Sequence, residues 1–176
     1  MKYLRRAMVR ITLTLVIVTF VVSLLVCVFY MSYNIGSAYV LITEGLEKRV
    51  EVCLTREGYT ELNNYFAVSF LTQDPVLAVS LTENSPYYSY NITNFDYDVK
   101  IQKLRAWPWE DTITCTVTEF VDDIQGTVKA AYAATASGKI APWQSSRCKV
   151  TLHRQNDGVW KISGLIQDAG YKDTNS

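Results

Sequence analysis

Residues 11–30 read ITLTLVIVTFVVSLLVCVFY, a run of 20 side chains without a charge. At about 1.5 Å of rise per residue, a helix of that length spans about 30 Å, the thickness of a bilayer's hydrocarbon core. Thr12, Thr14, Thr19 and Ser23 are its only hydroxyls, and each can bond back to a carbonyl of its own helix. Tyr30 and Tyr33 stand where an interfacial aromatic belt is expected. The segment before the run, MKYLRRAMVR, carries Lys2, Arg5, Arg6 and Arg10 and no acid. The first basic residues after it are Lys48 and Arg49. The positive-inside rule therefore predicts a cytoplasmic N-terminus and an outer C-terminal part. A cleaved signal peptide is the alternative, but its apolar core is about 7–15 residues long and leads into a small-x-small site. Only Gly36-Ser37-Ala38 approaches such a site, and the run is too long, so a retained anchor is predicted. The resulting plan is a basic arm over 1–10, a transmembrane helix over 11–31, an outer domain over 34–168 and a polar tail over 169–176.

Composition narrows the function. The 17 basic and 17 acidic side chains cancel, which argues against a polyanion-binding surface and hence against nucleic acid. The length suits one outer domain with a real core. Cys27 lies in the span, and Cys53, Cys115 and Cys148 lie beyond it. With no CxxC and one His, the chain offers no zinc-ligand spacing, and no metal or cofactor is expected. The three outer cysteines read as small buried apolar residues. In an oxidising compartment a Cys115–Cys148 disulfide is the other option.

The outer part divides into helices, then strands. Over 37–58, Tyr39, Ile42, Leu46, Val50 and Cys53 recur at helical spacing, with Gly58 as the C′ residue. This helix can continue directly from the span. Thr60 is placed to cap a second helix, ELNNYFAVSFLT, and Asp74-Pro75 to start a short third one, VLAVSLT. The rest alternates with a period of two. In 94–102, Phe95, Tyr97, Val99 and Ile101 form the apolar phase, and the slip after Ile101 predicts a bulge or bend. Further strands are predicted at 112–123, with Ile113, Cys115, Val117 and Val121 inward, and at 127–136 after a turn at Gln125-Gly126. CKVTLHR, 148–154, is a strand with Cys148, Val150 and Leu152 on one face. A turn at 155–158 leads into a last strand with Trp160, Ile162, Gly164 and Ile166 on one face. Helices grouped before strands indicate an α+β fold: a transmembrane helix, then two to three helices on a curved antiparallel sheet of about four to five strands.

The closing hairpin, with Asp157, Gly158, Trp160, Lys161 and Ile162, resembles that of the nuclear-transport-factor-two-like superfamily, and the helical patterns at 37–58 and 60–72 fit the same plan. The resemblance covers residues 37–167 by architecture. It implies a cone-like domain whose sheet curls around the helices. A cytoplasmic arm, one span and an outer cone are similar to the bitopic core component of type IV secretion and conjugation machines. They are also similar to the membrane-proximal domain of some penicillin-binding proteins, but no SDN or KTG motif follows here. The chain also departs from the superfamily in having no clear strand pair between its second and third helices.

Superfamily enzymes such as ketosteroid isomerase hold a carboxylate base inside the cone. Glu119 shares the phase of Cys115, Val117 and Val121 and is the one candidate for such a base, with Tyr132 and Trp160 as further pocket residues. The plainer reading has Glu119 pairing with Arg147 or Lys129, or reaching solvent. His153 lies in a polar phase with no partners for a triad and reads as a surface residue. PYYSYNITNFDYD, 86–98, concentrates Tyr87, Tyr88 and Tyr90 in a stretch without Lys or Arg. Such rings either pack the core or form an interface, for instance along an exposed edge strand. Trp107 and Trp109, around Pro108, pose the same choice. The expected function is non-enzymatic: a single-pass scaffold or assembly module in a cell-envelope complex of conjugation, secretion or sporulation type. Its partners would be other envelope proteins, further copies of itself and the membrane. A ligand-binding or sensory pocket is the alternative, and an enzyme with Glu119 as base comes third.

Overall fold

The structure is a computed structural model and describes residues 2–168; the predicted tail at 169–176 lies outside the described residues. One unbroken helix, α1 (Lys2–Thr55), carries the chain from its basic start to the far end of the domain. Its first half is long and apolar enough to cross a membrane, with a mean hydropathy of 2.9 over its most apolar stretch and no burial there. Two of the expected back-bonds are present, from Thr12 Oγ1 to the Met8 carbonyl at 3.0 Å and from Thr14 Oγ1 to the Arg10 carbonyl at 2.9 Å. In the second half, Asn34, Ala38, Ile42, Leu46, Arg49, Val50 and Cys53 are buried at helical spacing. The helix ends one turn before the expected Gly58. Arg56 takes the left-handed conformation (φ 66°), and its N–H donates to the Val52 carbonyl at 2.8 Å.

Four antiparallel strands follow as a curved meander in the order β1 (Tyr90–Gln102), β2 (Thr112–Val128), β3 (Ser146–Arg154) and β4 (Trp160–Gln167). Their inward phases and α1 enclose one main core. Ile42, Leu46 and Cys53 meet Leu62, Phe66, Leu77, Ile113, Val117, Val150, Leu152 and Ile162 there. A smaller cluster of Val50, Leu54, Tyr87 and Val121 closes the end far from the apolar half of α1. Gly45 lets α1 approach closely, since a Cβ there would stand 3.0 Å from both Ile162 Cδ1 and Tyr65 Cβ.

Several expectations need correction. The second helix is absent as a unit: a 3₁₀ turn (Tyr59–Asn64) and a single turn, α2 (Val68–Leu71), replace it. Between them the backbone bonds to β4 instead. Ala67 N–H donates to the Ile162 carbonyl, and Ile162 N–H to the Tyr65 carbonyl, each at 2.9 Å. The third helix forms as α3 (Pro75–Ser80), with the Asp74 carboxylate accepting from the N–H groups of Val76 and Leu77. The strand expected at 127–136 does not form. β2 runs through Gly126 to Val128, and Ala130–Tyr132 is a 3₁₀ turn. Gly126 is needed inside that strand because a Cβ would lie 2.5 Å from the Asn91 carbonyl oxygen. The slip after Ile101 is the end of β1, where Lys103 turns left-handed (φ 60°), and the irregular pairing lies instead around Thr93 and Phe95. In β4, Thr151 pairs with Gly164 but Leu152 pairs with Ile162, so Ser163 is an extra residue. The bulge reverses the phase: Leu165 packs on the core and Ile166 is exposed, against the expected face. All four cysteines are free. Cys115 lies opposite Val150 and Cys148 opposite Val117, a diagonal relation. Diagonal neighbours stand about 7–8 Å apart, too far for a disulfide.

Candidate functional site

The most concentrated polar chemistry lies inside the domain, where α1, α3, β2 and β3 meet. Arg49 is buried on the apolar stripe of α1, and its fork grips Asp74, with Nε to Oδ2 at 2.7 Å and Nη2 to Oδ1 at 3.1 Å. Asp74 is at once the cap of α3 and the counter-ion of α1. A two-point guanidinium–carboxylate contact fixes orientation as well as charge. Burial works against the Arg49 charge, but the Asp74 hydrogen bonds and charge outweigh it and hold the guanidinium above its ordinary pKa.

Glu119 completes the cluster from β2. It points inward, as its phase predicts, and is 4 % exposed. Ser146 Oγ, on β3, donates to Glu119 Oε1 at 2.9 Å and lies 3.4 Å from Cys148 Sγ. The Arg49 charge acts on Glu119, whereas Lys129, one of the expected partners, reaches the Tyr88 carbonyl at 2.9 Å. Burial raises the Glu119 pKa, while the Arg49 charge and the Ser146 hydroxyl pull it back. The buried indole N–H of Trp143 meets no acceptor at hydrogen-bond geometry, yet lies near enough to Glu119 to favour its charged form. The buried Tyr97 hydroxyl also lacks a partner, and burial, then the Glu119 charge, push its pKa up. Two carboxylates thus share one guanidinium, so the cluster either keeps a proton on Glu119 or carries a net negative charge in a dry place. It can clamp four elements together and hold one proton. Glu119 does not line the recess beside Cys115 and Cys148, the one beside Val40 and Leu41, or the one beside Tyr33 and Trp160.

The other pocket candidates lie elsewhere. Tyr132 is half-buried on the outside, in an edge-to-face contact with Tyr88 at 5.5 Å between ring centres. Trp160 is buried at the end nearest the apolar half of α1, with the Arg154 guanidinium 4.6 Å over its ring. Neither residue therefore shares a pocket with Glu119. Among the tyrosines, Tyr87 is buried and stacks on Trp143, and Tyr90 is buried with its hydroxyl donating to the Ser137 carbonyl at 2.7 Å. Tyr88 is more open, with Arg56 4.9 Å over its ring and its hydroxyl donating to Glu83 at 3.2 Å. Trp107 and Trp109 are exposed and stacked on each other. His153 is exposed, 3.3 Å from the Thr112 hydroxyl.

Sequence reasoning missed Arg49 and Asp74 as a pair. The signal was present, since Arg49 falls on the Ile42–Leu46–Cys53 stripe, but its charge argued for the opposite face. No group of His, Cys, Asp and Glu among the described residues is arranged to hold a metal. The outer edge of β1 is a second feature of interest. β1 ends the sheet, and among the described residues no backbone hydrogen bond reaches its far side between Asn91 and Gln102. Its pairing with β2 is regular from Asp96 to Gln102, with Asp96, Asp98 and Lys100 exposed. Compared with known proteins, the chain matches no family model and no curated sequence.

Proposed function

We propose that the chain is a single-pass membrane protein with a cytoplasmic N-terminus, whose outer domain is a scaffold module of a cell-envelope complex. The resemblance to membrane-anchored nuclear-transport-factor-two-like domains makes conjugation or secretion machinery the setting, with a sporulation complex equally compatible. The observation that carries the reading is the open edge of β1. A strand whose outer N–H and C=O groups are unpaired is a template for strand addition by a partner. The bulged part near Thr93 resists such pairing, so the docking segment is the regular stretch from Asp96 to Gln102. The opposite edge of the sheet is partly closed by the bridge from Phe66 to Ile162. The buried Arg49–Asp74–Glu119 cluster is then structural, holding the sheet at a fixed angle to the helix that anchors it.

The test is photo-crosslinking in cells from position 98 or 100 of the full-length protein, with position 149 on β3 as a control within the sheet. The scaffold reading expects a defined set of envelope proteins captured from β1 and lost when Asp96→Lys and Asp98→Lys are introduced. Capture of nothing beyond the chain itself, at full crosslinking efficiency, would sink it.

A further inference from the structure

The domain's lower rim lies level with the end of the apolar run. A recess of about 510 Å³ is lined by Tyr30, Tyr33 and Asn34 of α1 and, across from them, by Pro108, Val159 and Trp160. Arg154 Nη2 donates to Asn34 Oδ1 at 3.3 Å, tying the last hairpin to the helix at that height. Asn34 stands about 6 Å along the axis from Tyr30. The interfacial layer of a bilayer is about as thick on each side, since the full membrane is about 40–45 Å and its hydrocarbon core about 30 Å. Loops facing residues 30–34 are therefore at headgroup height whenever residues 11–30 fill the core.

The rings that point away from the domain here are aromatic. Trp107 is 42 % exposed and Trp109 69 %, and they stack at 5.3 Å between ring centres. The turn that holds them is closed twice, by Glu110 N–H to the Trp107 carbonyl and by Trp107 N–H to Glu110 Oε2, each at 3.2 Å. Val159, at the tip of the adjacent hairpin, is 47 % exposed. A tied-down turn that offers two tryptophans to water has no gain inside the domain. The indole ring, apolar with one donor, is suited to the headgroup layer. The neighbouring charges cancel, with Lys103 and Arg105 on one side and Glu110 and Asp111 on the other, so electrostatic attraction to lipid is not the basis.

We propose that the Trp107–Trp109 turn, with Val159, seats in the headgroup layer of the bilayer that α1 crosses and gives the outer domain a second fixed point on the membrane. This rests on reading α1 as a span. The experiment reconstitutes the full-length chain in phosphatidylcholine vesicles in which part of the lipid carries bromine high on its acyl chains. Flotation and tryptophan emission are read for the wild type and for Trp107→Ser/Trp109→Ser. The seating predicts that both proteins float, that wild-type emission is blue-shifted and quenched, and that the variant keeps only the quenching that Trp143 and Trp160 supply. High salt should leave the difference unchanged. Equal quenching of two floating proteins means the turn stands clear of lipid and overturns the proposal while leaving the span intact. A wild type that fails to float removes the span and the seating together. A blue shift without bromine quenching, lost when each vesicle holds one chain, assigns the turn to a second copy and also overturns it.

Discussion

The two halves of α1 are one continuous helix in two different surroundings. From Val9 to Phe29 the large apolar side chains are exposed all around the axis. From Asn34 to Leu54 they are buried along a stripe, while Glu44, Glu47 and Tyr39 stay outside. A helix apolar on every side has no single face to turn toward a sheet and is long and apolar enough to cross a membrane; a striped helix needs a sheet to cover it. The stripe carries one charge in its buried run, Arg49, and that charge joins the helix to the rest of the fold.

The comparison can be broken first at Arg49. Arg49→Ala leaves Asp74 and Glu119 buried without their cation, and should cost about 3–5 kcal/mol in denaturant unfolding of the full-length chain in detergent. Arg49→Met with Asp74→Asn should recover part of that loss. A charge in the other half acts on another quantity: Val18→Arg should cost about 2.5–3.5 kcal/mol of membrane insertion and move the chain out of the membrane fraction, with unfolding of the outer domain unchanged. A pH series sharpens the picture of the cluster. Burial raises the Glu119 pKa above the ordinary 4.5, so as pH rises from there the unfolded chain releases its proton before the folded one. Stability from this group is full below that pH and is lost as pH rises through the folded value. Melting of the wild type should show this decline, and Glu119→Gln should flatten it. The smallest contrast is a single methylene. Ile42→Val should cost about 0.5–1.5 kcal/mol, whereas Ile17→Val, facing no protein, should leave the unfolding midpoint in place.

Periodic features were legible in the sequence because period alone decides them. The stripe from Ile42 to Cys53 and the inward phases of β1, β2 and β3 follow from repeats of 3.6 and 2. The Asp74 cap was legible from its Pro75 neighbour. What failed depends on partners distant in the chain. Tyr65–Ala67 sit in a helical pattern but are drawn straight by Ile162, and the extra residue at Ser163 reverses the phase of β4 only because of how it pairs with β3. At the candidate site, the inward aim of Glu119 was visible in its strand phase. The cation beside it was not, because Arg49 and Asp74 meet across 25 residues of chain.

The absence of a break in α1 between its apolar run and the core turns the helix into a rotational coupling. Each residue of an α-helix advances the chain by about 100° of rotation, so the sheet is phase-locked to the faces of the apolar half of α1. Adding one residue at the exit from the apolar run would swing the whole domain by about 100° around the helix axis and lift it by only about 1.5 Å, whereas adding seven would restore its heading to within about 20°. The compass bearing of the β1 edge, relative to whatever packs against the apolar half of α1, is thus written in the spacing between residues 30 and 38.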